Sequence, residues 1–309
     1  MNLQEFQFYP EKKPSDSLVA IVGFLSGIPG IGDYILTEWK EDMVFDSRQM
    51  SSFCVRLFMK IIAATRNEEF GHAMLQMLFQ LQGFLDVLAP HLMNKNFFEV
   101  FFGIVSEFEI LFEENTFFRQ VFQMEYTITL SHPISDTSFS SEKTENIKYL
   151  YLKFPGLNRE SSSLLSLFNE NVSLFKTRLY PKEMKIHLSL NKVGPVIGFI
   201  FDRFIIDPDT SETQMIREKV EYPMILSLGD YIDGSTGQYT LFAVFANYNP
   251  SDNADYGMSY SMVNIDGTRW YMFKGDEIGT EVNERDLLDI QEPYMLFYRK
   301  LAPPECSNY

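Results

Sequence analysis

The chain has 309 residues, 45% of them apolar, enough for one large domain or two small ones and too many for a disordered chain. Its 26 basic residues against 42 acidic ones give a net charge of −16, which argues against nucleic acid and anionic membrane surfaces as direct partners and leaves a basic protein compatible. Cys54 and Cys306 are the two cysteines, with no CxxC, which excludes a disulfide framework and a cysteine zinc site.

Met1 to Phe8 lacks the basic start and apolar run of a secretory signal. The most apolar window, Phe97 to Phe112, is interrupted by Glu99, Glu107 and Glu109 and falls short of the ~20 residues a membrane-spanning helix needs. A soluble protein of the cytoplasm or nucleus is expected.

Pro14-Ser15-Asp16-Ser17 ahead of Leu18, Ile21, Val22 and Leu25 is the capped start of a helix with one buried face, ended by the glycines from Gly27 to Gly32. Asp16 is read as its N-cap. Helical spacing of apolar residues recurs over Ser47–Ala64, Glu68–Leu88 and Asn94–Phe112, so the first third is predicted helical. The period changes to alternation over Phe117–Leu130 and again over Asn146–Phe154. Between them His132–Glu145, polar and rich in serine, is predicted to be a mobile loop.

Ser161-Ser162-Ser163 caps a short predicted helix over Leu164–Phe168. Pro195–Ile206 is a predicted strand, Asp207-Pro208-Asp209 a turn, and Lys219–Tyr222 a strand stopped by Pro223. The remaining strands are Tyr239–Phe245, Tyr260–Ile265 and Arg269–Phe273, the last two joined at Asp266-Gly267, and then Tyr294–Tyr298.

Three stretches carry a family resemblance. In the last quarter Tyr239, Leu241, Ala243, Val244, Gly257, Trp270, Phe273, Tyr294, Leu296, Phe297 and Tyr298 follow Y-x-L-x-A-V, a G-H-Y turn, W-x-x-F and A-Y-x-L-F-Y. Pro195, Val196, Ile197, Arg203, Phe204, Asp207, Val220, Pro223, Leu226, Leu228 and Tyr231 follow L-P-x-V-L-x-x-x-L-x-R-F-x-Y-D and V-x-F-P-x-x-L-D-L-x-x-Y. Near the start Leu25, Pro29, Asp33 and Tyr34 anchor a likeness to C-Y-M-N-S-x-L-Q-x-L-x-x-x-P-x-x-R-D-Y. This order resembles the ubiquitin-specific proteases, the ubiquitin carboxyl-terminal hydrolases, which are cysteine proteases of papain-like fold.

The resemblance implies an α+β papain-like fold spanning residues 1–300 as a single domain. A helical thumb would occupy 1–114, a fingers-like sheet 115–192 and a β-rich palm 193–300, with 301–309 a tail. Over roughly 40–190 the likeness is one of topology. The family often pins its fingers with two CxxC pairs around zinc, and no cysteine lies between Cys54 and Cys306, so no metal is expected.

Three positions depart from the pattern. The family's nucleophilic cysteine falls on Asp16, its general-base histidine on Met258, and its imidazole-orienting Asn or Asp on Lys274. Peptide cleavage by a thiol needs an imidazole to take the thiol proton and return it to the leaving amine. A thioether does neither, and lysine brings positive charge where a hydrogen-bond acceptor is needed. The field at a helix N-terminus that would stabilise a thiolate also suits the Asp16 carboxylate.

These residues predict an inactive pseudo-deubiquitinase that binds ubiquitin or a ubiquitin-like protein, or acts as a protein-interaction subunit. Tyr256, Gly257, Trp270 and Asp276 are the binding residues that the resemblance implies. Two alternatives stay open: an active ubiquitin thiolesterase in which Cys54 faces a histidine, and a scaffold that does not bind ubiquitin. Cys54, beside Phe53, Val55 and Leu57, reads as a buried small residue. His72, His91, His132 and His187 share no ligand spacing, and no phosphate loop, HExxH or EF-hand pattern occurs, so no cofactor is expected.

Overall fold

A computed structural model of the chain describes residues 14–37, 39–40, 52–90, 97–111, 121–131, 140–155, 160–179, 185–206, 213–229, 237–247, 259–275 and 277–301. The chain divides into two compact units, one of residues 1–118 and 245–287, the other of 119–244 and 288–309.

The first unit is organised around α1 (Asp16–Gly27), which is buried continuously from Leu18 to Gly27. A helix apolar on all sides belongs inside a core. Around it lie α2 (Ile31–Thr37), α3 (Ser52–Arg66), α4 (His72–Leu88) and α5 (Phe97–Leu111). The predicted helices are present, and α4 begins after Gly71 rather than at Glu68.

Three antiparallel strands complete this unit: β12 (Ser259–Asn264), β13 (Trp270–Lys274) and β14 (Glu277–Val282). Helix α1 lies against β12 and β13. The Ser261 hydroxyl donates to the Ala20 carbonyl at 2.9 Å, and a side chain at Gly23 would collide with the Phe273 ring. Glycine at position 23 therefore permits a close approach of helix and strand. Phe24, Phe101 and Phe245 form an aromatic cluster with centroids 5.3 to 5.5 Å apart. Such pairs add roughly 0.5–1.5 kcal/mol each beyond their burial.

In the second unit β1 (Met124–Ser131), β2 (Ser140–Ile147) and β5 (Lys185–Val193) form an antiparallel sheet in the order β2-β1-β5. Residues 140–145 correct the expectation of a loop, since Ser140 to Glu145 pair with Ser131 to Tyr126. Backbone pairing across a hairpin supplies hydrogen bonds whatever the side chains, so a polar strand leaves no alternation to read. Residues 132–139 of that predicted loop, and the start of the strand predicted from Phe117, lie outside the described residues.

Strand β3 (Leu150–Lys153) leaves this sheet and runs parallel to β6 (Val196–Asp202), which pairs antiparallel with β15 (Met295–Lys300). Asn171, on α6 (Leu164–Leu179), accepts from Lys153 N–H at 2.8 Å and donates to its carbonyl at 2.9 Å, closing the outer edge of β3. Helix α6 is far longer than predicted, and the Ser163 hydroxyl accepts from Ser166 N–H at its start. Ser161–Ser163 itself is a short strand, β4, parallel to β9 (Lys219–Glu221).

The strand predicted over Pro195–Ile206 breaks at Arg203 into β6 and β7 (Phe204–Ile206), and β7 pairs with β8 (Thr213–Met215). The break turns the Arg203 side chain into the core, where it is fully buried. Strand β11 (Gln238–Asn247) carries the chain from the second unit back to the first, and β10 (Ile225–Ser227) pairs with it. A short helix, α7 (Glu284–Leu288), follows β14.

Candidate functional site

The site builds on the N-terminus of α1. Ser15 is its N-cap, with backbone at φ −64° and ψ 141° and a hydroxyl that accepts from Leu18 N–H at 3.2 Å. This corrects the assignment of the cap to Asp16. A short hydroxyl at the extended residue before the helix reaches back to the third amide, and Asp16 then takes the first helical position. There its carboxylate lies in the field of the unpaired first-turn amides, a contribution of about 0.3–1 kcal/mol. Ser15 N–H donates in turn to Gln82 Oε1 at 3.0 Å, and Gln82 Nε2 to Asp86 Oδ1 at 2.7 Å, which tie the cap to α4.

The opposite side of the site is the turn after β13. Gly275 has φ +54°, and a Cβ placed on it would lie 3.0 Å from Asp16 Oδ1. The Asp16 carboxylate thus sits against the residue that follows Lys274. Both Asp16 and Lys274 are half-buried. Two of the three departing positions, far apart in sequence, are therefore brought to one place. Met258, the third, lies outside the described residues, just before β12 begins at Ser259, and Tyr256, Gly257 and Asp276 are outside them as well.

Trp270 is 2% exposed, so its indole belongs to the core and offers no surface to a partner, a correction to its place among the binding residues. The neighbouring hairpin turn is built as its sequence demands. Asp266 Oδ1 accepts from Thr268 N–H at 2.8 Å and Arg269 N–H at 3.0 Å, and Gly267 adopts φ 99°. Desolvation pushes the Asp266 carboxyl up, but the Arg269 and Thr268 amides outweigh it and hold the carboxyl below its ordinary value. Arg269 also bonds Glu68, which follows α3 at φ 59°.

Cys54 is fully buried within α3. A thiol sealed in a helical core has no access to a protein substrate, which removes the geometry that the active-enzyme alternative requires of it. Cys306, His91 and His132 lie outside the described residues. Among the described residues no cluster of three or more His, Cys, Asp or Glu side chains is arranged to hold a metal ion. No helix among them is long and apolar enough to cross a membrane.

The family model for ubiquitin carboxyl-terminal hydrolases matches residues 109–298, more than half of the chain. The chain belongs to that family. Its fold agrees. The Ubp8/Sgf11/Sus1/Sgf73 SAGA DUB module bound to ubiquitin aldehyde superposes with a TM-score of 0.66 at 14% identity, over 94% of this chain and 69% of that one. The Ubp8-Sgf11-Sgf73-Sus1 SAGA DUB module gives 0.71 at 14% identity, over 94% and 66%. A yeast SAGA DUB module gives 0.63 at 13% identity, over 96% and 70%. At such identities the likeness establishes the ubiquitin-specific-protease fold, an α+β arrangement of helices and a mixed sheet. No curated protein sequence matches the chain.

Sequence reasoning missed the close-approach glycines, Gly23 and Gly275, and the Ser261 hydroxyl that fastens β12 to α1. Glycine at the end of a strand was the available signal for the turn at Gly275.

Proposed function

We propose that this hydrolase-family domain recognises ubiquitin or a ubiquitin-like protein without cleaving it, with Asp16, Met258 and Lys274 in the nucleophile, base and orienting positions. The observation that carries this reading is the approach of the Asp16 carboxylate to the turn at Gly275, beside Lys274. A nucleophile and the group that orients its base lie on either side of one imidazole, so their positions must converge in the fold. Here the residues at those two positions come within contact of one turn, and neither has the chemistry of its role.

A carboxylate at Asp16 lacks the thiol's nucleophilicity, and a lysine ammonium is a donor that cannot accept the N–H of an orienting hydrogen bond. The resemblance to a ubiquitin-aldehyde-bound module supports ubiquitin as the ligand. The net charge of −16 favours association with a basic surface. The same domain acts as an interaction subunit only through what it binds, so the occupant decides the role.

Titration of isotope-labelled ubiquitin with this protein by NMR, and incubation with a ubiquitin vinyl-type electrophile, test the reading together. Saturable shifts without a covalent adduct are expected. An adduct would overturn the loss of catalysis. Absence of shifts at millimolar protein would reject ubiquitin recognition and leave the scaffold reading.

A further inference from the structure

Asp16 takes the first position of α1, and its place is set from two sides. The start of the helix is tied to α4 through Ser15 N–H, which donates to the buried Gln82 at 3.0 Å, and Gln82 in turn donates to Asp86. On the other side the turn after β13 comes so near that a Cβ on Gly275 would stand 3.0 Å from Asp16 Oδ1. The half-buried carboxylate is thus a localised negative charge at the nucleophile position, between helix and turn.

The family is named for hydrolysis at the carboxyl terminus of ubiquitin, which requires the nucleophile to touch the terminal carbonyl carbon. A group standing in the nucleophile's place therefore meets whatever that carbonyl carries. In the free protein it carries a second oxygen and a negative charge at neutral pH. In a conjugate it carries an amide nitrogen and no charge. The Asp16 carboxylate repels the first and accepts a hydrogen bond from the N–H of the second.

Two positive features oppose that repulsion. The first-turn amides of α1 suit an anion, but the Asp16 carboxylate already lies in their field. Lys274 attracts an anion as well, yet the orienting position stands one imidazole away from the reacting carbonyl, whereas the nucleophile position is in contact with it. Coulomb energy falls with distance, so the nearer charge prevails.

We propose, resting on the recognition of ubiquitin or a ubiquitin-like protein put forward above, that Asp16 makes this site selective for the ligand in amide linkage over the same ligand with a free carboxyl terminus. Asp16 is then the specificity-determining residue, and conjugates are the ligand class.

Calorimetric titration of the full chain with ubiquitin as the free acid, as the C-terminal primary amide, and joined through an isopeptide bond to a lysine peptide tests this. The amide and isopeptide forms should bind about tenfold more tightly than the acid, the effect of one pair of like charges at the screening of a half-buried site. Asp16→Asn keeps the shape of the side chain and removes its charge. In that variant the ratio should fall to about one or below, because the α1 amides and Lys274 then favour the acid. Equal affinities for acid and amide in the wild type, or a preference that persists in Asp16→Asn, would overturn this inference and leave ubiquitin recognition standing. No binding of any form at millimolar concentration would overturn both.

Discussion

Replacing Gly275 with alanine tests the meeting of α1 with the turn after β13. Two costs are separable. The first is conformational: φ +54° lies in the left-handed region, where a Cβ costs about 1–2 kcal/mol. The second is contact, because the new Cβ falls 3.0 Å from Asp16 Oδ1 and the carboxylate must swing away from the first-turn amides. Losing that position costs up to about 1 kcal/mol. Gly275→Ala alone should therefore destabilise by roughly 1–3 kcal/mol, and by roughly 1–2 kcal/mol in an Asp16→Ala background.

Urea denaturation of the wild type, both single variants and the double variant yields the coupling energy, expected at about 0.5–1 kcal/mol. The conformational cost cancels in the cycle, so the coupling reports the contact alone. Additivity within about 0.3–0.5 kcal/mol would mean that Asp16 and Gly275 do not touch. The geometry behind the proposed function would then fail with it.

Gly23→Ala should drive a methyl into the Phe273 ring and lower stability by about 1–3 kcal/mol, and a pairing with Phe273→Leu should restore part of the loss in the same urea assay. Arg203→Met removes donors from three buried carbonyls and leaves Glu218 uncompensated, so a loss of roughly 3–5 kcal/mol in unfolding free energy is expected from urea denaturation. Asp266 is held below its ordinary value of 3.8, so its stabilising effect is present above that pH and lost as pH falls through the lower folded value. Asp266→Asn should lower stability at neutral pH, approach the wild type as pH falls through the lower folded value, and so flatten stability against pH in that acid window, as followed by urea melts across a pH series.

Legibility followed local pattern. The helix at Asp16–Gly27 was readable because a hydroxyl cap precedes a continuous apolar run, although which residue caps it depended on where the backbone turns helical. The hairpin at Asp266-Gly267 was readable because that dipeptide demands a turn. Strand β2, Ser140–Ile147, was not, since its pairing with β1 is backbone-driven and its side chains are polar. The length of α6 was equally obscure, because its far half mixes polar and apolar residues. At the candidate site the family pattern singled out Asp16 and Lys274, and their proximity through Gly275 was not legible because it joins segments remote in sequence. Trp270 was misplaced as a contact residue because an aromatic in a motif serves the core as readily as a surface.

The sequence by itself determined the family, the helical first third and the β-rich last third. Those properties reside in residue identity and in spacing along the chain. Tertiary structure alone decided that the Asp16 carboxylate lies against the turn beside Lys274, that Cys54 is sealed in α3, and that Arg203 turns inward to three carbonyls. These depend on distances between segments remote in sequence, which are fixed by packing at Gly23 and by hydrogen bonds such as Ser261 to Ala20.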